Sequence, residues 1–84
     1  MQVHIYDTHV TTNNGHYLHF DVLVDDANVS KVKQFAEQYL KANGIEVSQI
    51  SQSRCQFCHS EIANPETIQK INQQGHAIIE LVGV

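Results

Sequence analysis

The chain has 84 residues, a formal net charge of -4, 42% hydrophobic and 17% charged residues. That length predicts one domain with a thin core, burying about 60–65% of the unfolded surface, and the composition excludes collagen, coiled coil and long disorder. The five Lys and Arg are scattered among nine acids, so no basic surface is concentrated enough to make nucleic acid an expected partner.

Val3 to Val10 reads as a strand, rich in Val, Ile, Tyr and Thr and free of Gly and Pro. Tyr17 to Val24 reads as a second, with Leu18, Phe20, Val22 and Val24 alternating onto one face. Asn14-Gly15 between them is a hairpin signal, because both residue types tolerate positive φ. Asp25-Asp26-Ala27-Asn28 breaks the alternation and supplies a helix N-cap. A helix is expected from about Val29 to Ala42, since Val29, Val32, Phe35, Ala36, Tyr39 and Leu40 recur at spacings of three and four. Gly44 ends it.

The Ser- and Gln-rich stretch from Ile45 to Arg54 predicts a short strand around Gln49 to Ser53, near a sheet edge. Asn64-Pro65-Glu66-Thr67 opens a second helix, capped by Asn64 with Pro65 in its first turn, and Gly75 closes it. Ala77 to Val82 is a last strand, apolar on both faces, which favours an interior sheet position or an interface. The predicted order is β-β-α-β-α-β: a two-layer α+β domain with a four-stranded mixed sheet and two helices on one face.

No apolar run approaches the roughly 20 residues of a membrane span, so no membrane partner is expected. Met1-Gln2-Val3-His4-Ile5-Tyr6-Asp7 has neither a basic start nor a signal-length apolar stretch, which makes a cytoplasmic location the expectation. The six His could carry the net charge to about +2 in mild acid, a pH-sensing capacity or simply a compositional accident.

Cys55-Gln56-Phe57-Cys58-His59-Ser60-Glu61 is the most chemical stretch. Four readings fit it. In the plainest, Cys55 and Cys58 are small buried hydrophobes that plug the end of a thin core. In the second, Cys55, Cys58 and His59 hold zinc or another divalent metal, with Glu61 or His76 completing the set. In the third, Cys55 is an attacking thiolate and Cys58 resolves it, giving thiol–disulfide chemistry. The fourth, covalent haem on a C-x-x-C-H string, is disfavoured: no export signal accompanies it, and Met1 is the only Met available as a distal ligand.

A second candidate group comes from the hairpin. A two-residue loop, Asn14-Gly15, would set His9 opposite Phe20 and Asp7 opposite Val22; a three-residue loop, Asn13-Asn14-Gly15, sets His9 opposite His19 and Asp7 opposite Asp21, and is preferred because it keeps Asp7 off the apolar face. Two facing carboxylates need a proton, a cation or water between them, so Asp7, His9, His19 and Asp21 form a polar cluster able to bind a divalent metal or to act as an acid/base pair. The alternative is an ordinary solvated sheet face. No G-x-S-x-G turn and no phosphate-binding glycine loop is present.

The strings Tyr6-Asp7-Thr8-x-Val10, His19-Phe20-Asp21-Val22 and Cys55-x-Phe57-Cys58-His59-x-Glu61, followed by Pro65-Glu66, together resemble a group of small bacterial proteins catalogued only as a domain of unknown function. The resemblance spans nearly the whole chain. It implies a small α+β domain and transfers no activity, cofactor or site residue. The CxxCH segment itself supplies the expected function: a non-enzymatic binding module that uses zinc or another divalent metal there, monomeric or a small homo-oligomer. A thiol–disulfide redox protein and a plain protein-interaction domain are the alternatives.

Overall fold

The computed structural model describes residues 2–55 and 64–83. Its elements in chain order are β1 (Val3–Thr12), β2 (Tyr17–Asp25), a 3-10 segment (Asp26–Lys31), α1 (Val32–Ala42), β3 (Val47–Cys55), α2 (Pro65–Gln74) and β4 (His76–Val82). The strands form one sheet in the order β3-β1-β2-β4. Every neighbouring pair is antiparallel, which corrects the expectation of a mixed sheet. Each helix carries the chain past at least one strand, so β3 and β4 land on opposite edges of the central hairpin. Each lies against the strand that runs the other way.

The hairpin has the register that a three-residue loop demands, with Asp7 opposite Asp21 and His9 opposite His19. Gly15 sits at φ +83 and donates its N–H to the Thr12 carbonyl at 3.0 Å, so the left-handed position of the loop falls on the residue with no Cβ. The Thr12 hydroxyl accepts from the His16 N–H at 2.9 Å and donates to the Asn14 side chain at 2.6 Å. These bonds lock the tip.

The two helices lie on opposite faces of the sheet, which corrects the two-layer expectation. Phe35, Ala36 and Leu40 of α1 cluster with Val10, Leu18, Phe20, Val22 and Val24. Ile71 of α2 clusters instead with Val3, Ile5, Leu23 and Ala77. Successive side chains alternate across a strand, so even-numbered β2 residues face α1 and Leu23 faces α2. The same fact explains β4. It is an edge strand, not an interior one, yet Ile78 packs toward α1 while Ala77 and Ile79 pack toward α2. Apolarity on both sides of a strand reports what covers its faces, not what pairs its edges.

The first helix begins later than its apolar spacing predicts. Asp26–Lys31 is 3-10 and the α-helix starts at Val32. Asn28 donates to the Asp25 carboxylate at 2.6 Å, and short polar side chains that bond locally compete with α-helical bonding at a helix start. The C-terminus is a Schellman turn. Gly44 lies at φ +68, and the N–H of Ile45 reaches back to the Leu40 carbonyl at 2.9 Å. Asn64 caps α2 by accepting from the Glu66 N–H at 2.9 Å, as its sequence predicts.

β3 is longer than expected, running from Val47 to Cys55 at the sheet edge. Backbone pairing to β1 over nearly its whole length offsets the weak strand propensity of Ser and Gln. The Gln52 amide donates to the buried Thr8 hydroxyl and to the Val32 carbonyl, both at 3.1 Å. One edge side chain thereby satisfies a buried hydroxyl and ties β3 to the start of α1.

Candidate metal centre

β1 and β2 each place two polar side chains on the α2 side of the sheet: Asp7 and His9 from one strand, His19 and Asp21 from the other. Three of the four converge. The Nε2 of His19 lies 3.8 Å from an Asp7 carboxylate oxygen and 3.8 Å from an Asp21 oxygen. The three candidate ligand atoms all lie within 4.8 Å of one another. Asp21 is buried, while Asp7 and His19 keep partial access to solvent.

The His19 Nε2 is itself buried and makes no hydrogen bond among the described residues. A buried ring nitrogen without a hydrogen bond costs free energy, and this one faces an oxygen of each of the two carboxylates. A proton on that nitrogen would answer both acids. So would a divalent cation, which takes an imidazole nitrogen and carboxylate oxygens at about 2.0–2.2 Å. Tetrahedral ligation at those lengths sets ligand atoms about 3.3 Å apart. The two His19 contacts must therefore close by about half an ångström, and the two carboxylate oxygens, which lie within 4.8 Å of each other, by up to about 1.5 Å.

His9 does not join the three. Its ring stacks on His19 with centroids 4.2 Å apart and planes at 14°. Its Nδ1 shares a 2.5 Å hydrogen bond with the Tyr17 hydroxyl. His9 therefore packs against the ring of His19 from the open side, and Tyr17 holds it there. Of the four hairpin residues, three are gathered and the fourth fixes a ring.

Cys55 ends β3 directly opposite Ile5, one pleat along from Ser53, which faces Asp7. It shares the α2 side of the sheet with the carboxylates and packs against the second core cluster. Cys58 and His59, the other expected metal ligands, lie outside the described residues.

Sequence spacing does not show a second polar chain, on the α1 side. His4 is buried. Its Nε2 pairs with the Asp26 carboxylate, and its Nδ1 lies 2.6 Å from the Arg54 guanidinium. The partners are 22 and 50 residues away, so only the folded sheet brings them together, and the chain pins the 3-10 segment to the strands. His76 stacks on Phe35 with centroids 4.1 Å apart, and its burial pushes the imidazole pKa below the usual histidine value. Burial raises the Tyr39 phenol, as does the neighbouring Glu80 carboxylate. An open cleft of ≈ 570 Å³ lies at the hairpin tip, among Thr12, Asn14, His16, Ile45 and Glu46, and does not include the three-residue cluster.

Among the described residues no helix is long and apolar enough to cross a membrane. The NMR structure of protein NE1680 from Nitrosomonas europaea is similar to this one, with a TM-score of 0.79 and 38% sequence identity, covering 99% of this chain and 98% of that one. No curated protein matches the chain. A family model described as a domain of unknown function, DUF2024, matches residues 1–81, and the chain belongs to that family.

Proposed function

We propose that this DUF2024 protein is a binding module that holds a divalent cation of the zinc class between Asp7, His19 and Asp21. The observation that carries the reading is the His19 Nε2, buried, without a hydrogen bond, and 3.8 Å from one oxygen of each carboxylate. One nitrogen and two carboxylate oxygens suit zinc and the neighbouring first-row metals, and three protein ligands leave a position open for a further group. His9 and Tyr17 support the site by fixing the His19 ring plane. The acidic balance of the chain favours a cationic ligand over nucleic acid, and a cytoplasmic setting belongs to the same proposal.

Zinc titration by calorimetry tests it, on wild type, Asp7→Asn, His19→Gln and the Cys55→Ser/Cys58→Ser double variant. One zinc per chain is expected. Affinity should fall at least about tenfold in each hairpin variant, since each removes a direct ligand, and should survive in the double cysteine variant. Binding that disappears only when the cysteines are replaced overturns the hairpin site and moves the metal to the CxxCH segment. Absence of binding in wild type overturns the module.

A further inference from the structure

The two edges of the sheet are built differently. β3 presents Ser48, Gln49, Ser51, Gln52, Ser53 and Arg54. β4 reads His76-Ala77-Ile78-Ile79-Glu80-Leu81-Val82. An edge strand exposes a row of N–H and C=O groups, and proteins ordinarily blunt such edges with Lys, Pro or polar side chains. β4 has neither Lys nor Pro, and it ends in Leu81 and Val82, which are 47% and 49% exposed. Beyond Val82 the chain runs against Tyr17, itself 50% exposed. There Gly83 allows the approach, because a Cβ would lie 2.5 Å from the Tyr17 carbonyl oxygen.

β4 is also complementary to itself. Set two copies antiparallel about a two-fold axis at Ile78, normal to the sheet. His76 of one protomer then faces Glu80 of its partner, Ala77 faces Ile79, and Ile78 faces its own copy. His76, Ile78 and Glu80 all project to the α1 side, since they pair with Val24, Val22 and Phe20. The two-fold keeps the α1 sides together, so two imidazole–carboxylate pairs form on that side. Sliding the register to a two-fold at Ile79 sets Ile78 against Glu80 and loses both pairs.

We propose that the β4 edge is the docking site for a second copy of this chain, which joins the two four-stranded sheets into one continuous sheet through β4–β4 pairing about Ile78. The interface is isologous, with main-chain bonds giving affinity and the His76–Glu80 pairs fixing register. It uses none of the residues of the cation site, so it stands independently of that reading.

Sedimentation equilibrium from about 10 µM to about 1 mM protein should show a mass rising toward twice the 9.5 kDa of the chain. Glu80→Lys removes the acceptor from both pairs on an exposed residue, and should weaken association about tenfold, with Glu80→Gln falling between. Circular dichroism confirms that the variants are folded. Hydrogen exchange should show the β4 amides, and not those of β3, becoming more protected as concentration rises. A mass that stays monomeric at the highest concentration overturns the proposal. So does a dimer that Glu80→Lys leaves unchanged, or one whose concentration-dependent protection falls on β3.

Discussion

Cutting Leu23 to Ala tests whether the sheet has a second packed face. Leu23 is fully buried and lies on the side of β2 turned away from α1, in a cluster with Val3, Ile5, Ile71 and Ala77. Truncation forfeits the transfer free energy of the lost carbons and leaves a cavity beneath α2, a loss of about 3–5 kcal/mol. A domain of this size has a total stability on the order of 4–13 kcal/mol, so the variant sits near the edge of folding. Ile71→Val removes one carbon from the facing helix and should cost about 1 kcal/mol. Because both residues line one small cluster, the double variant should depart from additivity by at least about 0.5 kcal/mol. The chain has no Trp, so urea denaturation followed by far-ultraviolet circular dichroism is the assay. Were this face a solvated sheet surface, Leu23→Ala would cost less than about 1 kcal/mol and would not couple to Ile71. Either result refutes the packing of α2 against it.

Gly75→Ala should destabilise the protein by about 1–3 kcal/mol in the same assay, because Gly75 sits at φ +87 and an added Cβ would lie 3.2 Å from the Asn28 side-chain oxygen; an unchanged midpoint would contradict the left-handed cap of α2. His76 has a folded pKa below its ordinary value, so the unfolded chain takes up the proton first as pH falls. The stabilising contribution is thus full above about pH 6.5 and is lost as pH drops below it toward the folded pKa. Urea midpoints measured across this window should fall more steeply for wild type than for His76→Gln, and parallel slopes would refute the assignment.

The hairpin was legible because local chemistry decides it; its register was open between a two-residue and a three-residue loop, and the paired strands settle it. Gly15 takes the positive φ of the loop and alternation over Leu18 to Val24 assigns the faces, while the three-residue loop seen in the fold sets Asp7 against Asp21. The caps at Asn64, Gly75 and Gly44 were legible for the same reason, since each acts through bonds within a few residues. The polar cluster followed from register alone. What register did not reveal is its division into three converging groups and one stacked ring, because that depends on where the Tyr17 hydroxyl draws His9.

The order of elements, the apolar face of β2 turned to α1 and the residues that end each helix could be read from the residues alone, since these rest on periodicity and on bonds between near neighbours. The folded chain settles that both sheet faces are covered and by which helix, which strands stand at the edges, and that His4 meets Asp26 and Arg54. Ile68 and Ile71 give α2 an apolar side but carry no instruction about which side of the sheet receives it. The odd-numbered face accepts it because Val3, Ile5, Leu23 and Ala77 form an apolar field there, while α1 already occupies the other face. That choice is a competition between whole surfaces, settled by total buried area rather than by any local pattern.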